Sequence, residues 1–225
     1  MGVKVMSKKV LQLFLVIALF LGLPGLFYAY SGVPQRTWLK ETFSIITVIA
    51  FLDMIFQFYL SRANDKFWEG WKKSRLIKWH KIMGYIFIGI LLIHPFLIVI
   101  PRYFESGVEP IDAFMLILKS YKMPGIFMGI TAWLLMLILG LTSLLRNKLP
   151  WSYKTWKIFH GILSIAFICT AAYHVIDTGR HITTEMGWFI AILTGVGVLL
   201  LLRSYVIKPF TRKKQNTLLN PTKKD

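Results

Sequence analysis

The stretch WHKIMGYIFIGILLIHP, residues 79–95, decides how the chain is folded. From position 82 to position 100 the sequence contains no Lys, Arg, Asp or Glu. A helix needs about 20 such apolar residues to cross the hydrocarbon core of a membrane. We therefore expect a transmembrane helix at 82–100, and this helix places one histidine of the stretch near its start and the other well inside the lipid core.

Five further apolar blocks have a similar length. Hydrophobic residues make up 56% of the 225 residues, which is more than an ordinary soluble domain contains. The predicted spans are 10–30, 42–60, 82–100, 125–145, 158–176 and 186–202. They predict an all-α integral membrane protein, a six-helix bundle within a single domain at 10–210. A shorter apolar stretch at 111–118 cannot span a membrane and is expected to be an interfacial or re-entrant helix.

The placement of basic residues predicts the orientation of the bundle. The formal net charge is +17, and the chain has 27 Lys and Arg. If residues 1–9 are cytoplasmic, the cytoplasmic segments hold 21 of these 27 residues. Because Lys and Arg accumulate on the cytoplasmic side, both termini are expected there, in a cell membrane. Membrane lipid is then the expected partner and no nucleic acid is needed. The Lys-rich segment 211–225 is expected to be a disordered cytoplasmic tail.

Four histidines form two pairs with equal spacing. His80 lies just before the third span and His94 lies within it, while His160 and His174 lie within the fifth span. In both pairs, the two histidines are fourteen residues apart. At 3.6 residues per turn, this is about 40° short of four turns, so each pair shares a helix face over about 21 Å. Both helices begin in a basic cytoplasmic loop and therefore run parallel. His80 is then level with His160, and His94 is level with His174.

Two imidazoles at one depth are suitable axial ligands for a haem iron. The two pairs therefore predict two haems stacked across the membrane, and no C-x-x-C-H motif is present for covalent attachment. Zinc or copper fits less well, because its ligands converge within a few ångströms. Two alternatives remain: histidines that only pack between helices, and a transporter with histidines along its pathway.

These motifs resemble the ferric reductase-like transmembrane domain family, which is part of the superfamily shared by ferric reductases and NADPH oxidases. The resemblance covers about 42–210 and rests on WHKIMGY and LLIHP in the third span, on GLTSLLRNKLPWSYKTWKIFH at 140–160 and on AAYH at 171–174. In that family the third and fifth helices hold two haems b. The resemblance implies His80 and His160 as ligands of the inner haem, and His94 and His174 as ligands of the outer haem.

The resemblance also implies transmembrane electron transfer, from a cytoplasmic or membrane donor to an extracytoplasmic acceptor. Full-length reductases of this kind continue into flavin and nicotinamide domains, whereas this sequence ends at Asp225. FAD and NAD(P)H are therefore expected only on a separate flavoprotein, and the chain is expected to be an oxidoreductase component without catalytic residues of its own. The alternative is a quinol-linked haem b anchor of a multisubunit oxidoreductase with an extracytoplasmic partner reductase.

Four other residues have candidate roles. Arg180 and His181 follow the fifth span and are candidates for binding a haem propionate or an anionic acceptor, unless they form a solvated loop. Asp53, inside the second span, can hydrogen-bond a ligand imidazole, form a proton route or pair with a neighbouring helix. Cys169 is the one cysteine, so no intramolecular disulfide is possible, and it is expected to be a buried small residue.

Overall fold

The computed structural model describes residues 7–60, 64, 66–104 and 109–219, with side chains up to Tyr205. These ranges are helical or irregular and contain no strand. The long helices are α1 Lys8–Ala29, α2 Trp38–Leu60, α3 Lys73–Val99, α4 Pro124–Leu144, α5 Tyr153–Thr178 and α6 Thr184–Leu219. Each contains a segment long and apolar enough to cross a membrane, so the predicted six spans and the all-α membrane fold are confirmed.

The two histidine-bearing helices begin well before the predicted spans. α3 begins at Lys73 rather than at position 82, and α5 begins at Tyr153 rather than at 158. The added turns are rich in Lys and aromatic residues, whose long side chains keep their polar ends in water while their stems cover the helix. Charged residues therefore interrupt the apolar run at these positions, but the helix continues through them. His80 and His160 consequently lie inside regular helix, not at its first residue.

A wide turn in α1 accommodates a proline. The helix has a π turn at Ala18–Gly22 and then continues to Ala29. Pro24 lies two residues after this π turn, and its backbone nitrogen has no hydrogen to donate to the preceding turn. A π turn widens the helix at such a point, so α1 continues instead of ending. Phe20 in this turn packs against Phe56 of α2, with ring centroids 5.0 Å apart.

α2 is the central helix of the bundle and α3 is peripheral. Residues 50–58 of α2 are all buried, and these nine residues cover every face of the helix. Between Lys73 and Val99, by contrast, Leu91 and Val99 are the buried residues. α3 therefore buries few of its side chains completely, although it carries two of the four paired histidines.

Two shorter segments complete the description. The connecting helix Pro110–Lys119 lies between α3 and α4 and matches the predicted non-spanning helix at 111–118. At the other end of the chain, α6 is helical to Leu219, and the expected disorder of the tail 211–225 stays a prediction. Lys, Arg, Gln and Leu in this segment favour helix, and lengthening an existing helix needs no new nucleus. Positions 1–6 and 220–225 lie outside the described residues.

Cys169 is exposed on the outer surface of α5, so the expectation of a buried residue is wrong. The preceding residues Phe167 and Ile168 are buried. A membrane helix is apolar on its lipid face as well as on its packed face, so hydrophobicity alone cannot tell the two faces apart. For that reason the sequence predicts which segments span the membrane better than which side chains are packed.

Candidate functional site

The four membrane histidines meet in two pairs, as their spacing predicts. The ring centroids of His80 and His160 are 6.5 Å apart, and those of His94 and His174 are also 6.5 Å apart. Because both pairs meet at once, α3 and α5 run in the same direction. The space between these helices thus presents two imidazole pairs at two depths.

Each separation fits one metal ion between two rings. An imidazole nitrogen binds a metal ion at about 2 Å and lies about 1 Å from its ring centre, so two rings on opposite sides of an ion have centroids roughly 6 Å apart. Within the described ranges, no three His, Cys, Asp or Glu side chains converge as they would around a bare ion. The donor set therefore suits an ion whose remaining ligands come from a macrocycle, as in a bis-histidine haem.

The α5 histidines are oriented through their Nδ1 atoms. His160 Nδ1 lies 3.2 Å from the Ser143 hydroxyl. His174 Nδ1 lies 2.9 Å from the carbonyl oxygen of Gly125 and 3.3 Å from the Thr178 hydroxyl. Since a carbonyl only accepts, the proton of His174 is on Nδ1, which leaves the lone pair of Nε2 for a metal. Such partners on the second nitrogen are what metal-ligating histidines usually have.

The α3 histidines have no comparable support. The Nδ1 atoms of His80 and His94 are buried, and neither has a hydrogen-bond partner among the described residues. A buried polar nitrogen without a partner is costly. The protein therefore fixes the rings on α5, whereas the orientation of the rings on α3 is left to whatever their Nε2 atoms bind.

A cavity of about 1220 Å³ opens beside the inner pair. This exceeds the roughly 300–1,000 Å³ that is typical of small-molecule sites. Its walls are largely apolar and aromatic, and nothing lies within 4 Å of the position where a side chain at Gly84 would begin. The charged residues that line it within the described part of the chain are all cations: Lys73, Lys81, Arg146 and Lys157. Apolar walls with cations at the edge suit a porphyrin with its carboxylates, so the residues present fit a haem.

Two glycines bring α4 against the outer histidine of α5. A Cβ atom at Gly129 would lie 2.5 Å from His174 Nδ1, and one at Gly125 would overlap the side chain of Asp177. Their spacing is the G-x-x-x-G pattern that lets membrane helices approach closely. Sequence reasoning missed both residues, although the pattern is visible in PGIFMG at 124–129.

Trp156, one turn before His160 on α5, also escaped sequence reasoning. Its ring stacks on that of His160, with centroids 4.9 Å apart and an interplanar angle of 28°. The guanidinium of Arg146 lies 4.9 Å over the Trp156 ring and 4.7 Å over Tyr153. These contacts form a continuous path from the exposed Tyr153 to His160.

Asp53 pairs within its own helix. Gln57 Nε2 donates to Asp53 Oδ2 at 2.7 Å, and both side chains are buried. Among the described residues, Asp53 has no hydrogen bond to an imidazole or to a neighbouring helix. Gln57 also lines the inner cavity, and its Oε1 has no partner within the described part of the chain.

His181 packs against the end of α1 and the start of α2. Its side chain is 4% exposed, its ring stacks on Tyr28 with centroids 4.0 Å apart, and its Nδ1 lies 3.1 Å from the Ser31 hydroxyl. Nε2 lies 3.0 Å from Glu41 Oε2 without forming a hydrogen bond. Burial lowers the pKa of His181, and the Glu41 carboxylate opposes that shift.

Arg180 also contacts this side of the bundle. Its guanidinium donates to the carbonyl oxygen of Pro34 at 2.9 Å. Together with His181, it joins the loop after α5 to the loop after α1. The described contacts of both residues are with that loop and with α1 and α2, so a role toward a propionate or an acceptor stays a prediction.

Comparison with known proteins gives the family of the chain. A family model, the ferric reductase like transmembrane component, matches residues 46–171, which is more than half of the chain. The chain belongs to this ferric reductase-like family. The matched segment contains three of the four paired histidines and ends three residues before His174.

A relative of this ferric reductase-like chain is known from Archaeoglobus fulgidus. It is described as an uncharacterized protein and is 40% identical over 161 residues, which make up 72% of this chain and 87% of the relative. No solved structure matches the chain. The ferric reductase-like family is known for haem binding. Membership of it supports a multi-pass membrane protein that transfers electrons across the membrane.

Proposed function

We propose that the chain is a di-haem cytochrome b that passes electrons across the membrane. His80 and His160 hold the inner haem b, and His94 and His174 hold the outer one. The observation that carries this proposal is the equal 6.5 Å separation of two histidine pairs at two depths. The fit of the inner cavity to a porphyrin supports it.

The residues of the chain bind, orient and shield the cofactors. Bound haem supplies a one-electron couple whose potential depends on its axial ligands and their surroundings. Ser143 and the Gly125 carbonyl hold the α5 imidazoles through Nδ1, which leaves their Nε2 atoms free to bind a haem iron. The cations of the inner cavity would hold the haem carboxylates, and the apolar walls would keep water from the macrocycle.

Electrons travel from the inner to the outer site and leave to an extracytoplasmic acceptor. This direction follows from the proposed orientation with cytoplasmic termini. The cell interior is negative, and a charge crossing the membrane changes in energy by about 2.3 kcal/mol per 100 mV, so outward electron flow is assisted. Two centres also divide a core of about 30 Å into shorter steps. A separate electron-carrier protein or a quinol supplies the electrons.

Counting haems tests the proposal. The purified protein should contain two haems b per chain, measured by pyridine haemochrome absorption against protein mass. His80→Ala should leave about one haem, because the inner iron loses a ligand, and His94→Ala should leave the inner haem. The control is His181→Ala, which removes the fifth histidine and should keep two haems, since His181 contacts Tyr28 and Glu41 instead.

Two results would contradict the proposal. One haem in the unmodified protein would exclude the two-haem arrangement, and a chain without reducible b-type absorption would favour the transporter alternative. The donor is tested separately in isolated membranes. Reduction by a quinol without any protein donor would favour the alternative of a quinol-linked anchor subunit.

A further inference from the structure

We propose that the opening of the inner cavity is the docking surface of a small acidic electron-carrier protein. We define this surface, the cavity mouth, by Lys73, Lys81, Arg146, Tyr153 and Lys157. The proposal rests on the proposed function and names the class of its cytoplasmic donor. Charge and contact geometry at the mouth carry it.

The first argument is an excess of positive charge. Among the residues whose side chains the structure describes, four cations and no acidic residue line the cavity. A haem carries two carboxylates, so a bound haem neutralises two of the four charges and leaves a positive mouth. Glu69, an acidic residue of the loop before α3, is paired at 2.5 Å with Lys8, which does not line the cavity. A surface of one sign that surrounds a cleft attracts and orients an oppositely charged partner.

The second argument is the contact path behind the mouth. Tyr153 is 51% exposed, and the Arg146 guanidinium lies over both its ring and that of Trp156. Trp156 stacks on His160, the proposed ligand of the inner haem. A carrier seated on the mouth therefore contacts side chains that are in direct contact with an inner ligand. The cytoplasmic charge bias explains how many cations this face has, but it does not explain why they border this path.

The transfer itself involves no bond change. A reduced iron–sulfur carrier would lose one electron and become oxidised, and a ferric haem held by His80 and His160 would gain that electron. No proton moves in this step. An acidic ferredoxin, which carries one electron per cluster at low potential, is therefore a suitable probe.

Charge reversal at the mouth tests the proposal. The triple variant Lys73→Glu, Lys81→Glu, Lys157→Glu is compared with Lys66→Glu, Lys78→Glu, Lys148→Glu, whose exposed residues lie on the same side but do not line the cavity. Both proteins are placed in discs of zwitterionic lipid at low salt. The Kd of oxidised ferredoxin and the reduction rate per inner haem by reduced ferredoxin are measured.

We expect the mouth variant to weaken binding and slow reduction by at least about tenfold, as expected for lost electrostatic steering, and the control to change by less than about twofold. In the unmodified protein, added salt should steeply raise the Kd and lower the reduction rate. This salt series needs no variant, so it remains decisive if the mouth variant loses haem or does not fold.

Three results would overturn the proposal: equal losses in both variants, binding without salt dependence, or loss of binding when anionic lipid is added to the discs, which would assign the mouth to lipid headgroups. Dithionite serves as a reductant that needs no docking. If it reduces two haems while ferredoxin neither binds nor reacts, the donor assignment fails and the proposed function stands. If no haem is present at all, the proposed function fails.

Discussion

At the scale of the residue, the lack of a side chain at Gly129 leaves room for the ring of His174. Gly129→Ala should displace His174, because the added Cβ would lie 2.5 Å from its Nδ1, far inside an ordinary contact. We expect loss of most of the outer haem with the inner haem retained, measured by haem content and by redox titration. The control is Gly195→Ala in α6, where nothing lies within 4 Å of the new atom. An unchanged outer haem in Gly129→Ala would contradict this role.

A second residue-scale prediction concerns Ser143. Its hydroxyl is the described partner of His160 Nδ1, so Ser143→Ala should weaken retention of the inner haem by about tenfold and shift its midpoint potential, with the outer haem unaffected. Ser164→Ala is the matched control, because that hydroxyl donates to the backbone carbonyl of His160 and not to its ring. Equal shifts in both variants would show that the effect comes from the helix and not from the imidazole.

The histidines could be predicted from the sequence, whereas the groups that hold them could not. A repeated fourteen-residue spacing is a property of one helix at a time, and it sufficed to pair His80 with His160 and His94 with His174. The partners Ser143 and Gly125 belong to α4, and their contacts depend on how far α4 is shifted along α5. Packing at Gly129 contributes to this shift of α4 along α5, and the periodicity of hydrophobic residues carries no information about the shift.

At the scale of the element, the loop after α5 is held against α1 and α2 by a buried histidine. Burial lowers the pKa of His181, and Glu41, Arg36 and Arg180 are the charged groups that act on it. Unfolded chains protonate this ring below a pKa of about 6.5, while the folded protein binds that proton less readily. The contribution of His181 to stability is therefore complete above that pH and falls as the pH is lowered.

Replacing His181 with a residue that does not titrate tests the direction of this pH dependence. Between pH 7 and pH 5, the thermal unfolding midpoint of the unmodified protein should fall more than that of His181→Asn. At pH 8 the difference between the two proteins should have reached a constant value. Parallel pH profiles would show that His181 does not contribute to the acid sensitivity, and a steeper fall in His181→Asn would reverse the sign.

Sequence patterns predicted which segments become helices better than where those helices end. The six spans are correct because the apolar length that crosses lipid is fixed by membrane thickness. The early start of α3 at Lys73 depends instead on long side chains that reach back to water. The exposed Cys169 was mispredicted for a related reason, since lipid and protein interior favour the same apolar residues.

At the scale of the whole molecule, the two sites are predicted to work in series. In sealed liposomes with the basic loops outward, a reductant added outside should reduce an impermeant acceptor trapped inside. His94→Ala should abolish this transfer, because the outer site is interrupted, while reduction of the inner haem continues. Protease digestion of the exposed basic loops verifies the orientation. Transfer that persists without His94 would contradict conduction through both haems.

The peripheral position of α3 has a consequence for how the protein is made. Leu91 and Val99 are the buried residues along Lys73–Val99, and the two Nδ1 atoms of its histidines have no described partner. In the proposed holoprotein, the porphyrin faces would provide packing contacts that α3 does not make with other side chains. A ligand that binds only the folded form adds its binding free energy to stability. The supply of haem during biosynthesis would then determine how much folded protein accumulates. Chains that do not bind haem would be degraded by the proteases that clear unassembled membrane helices.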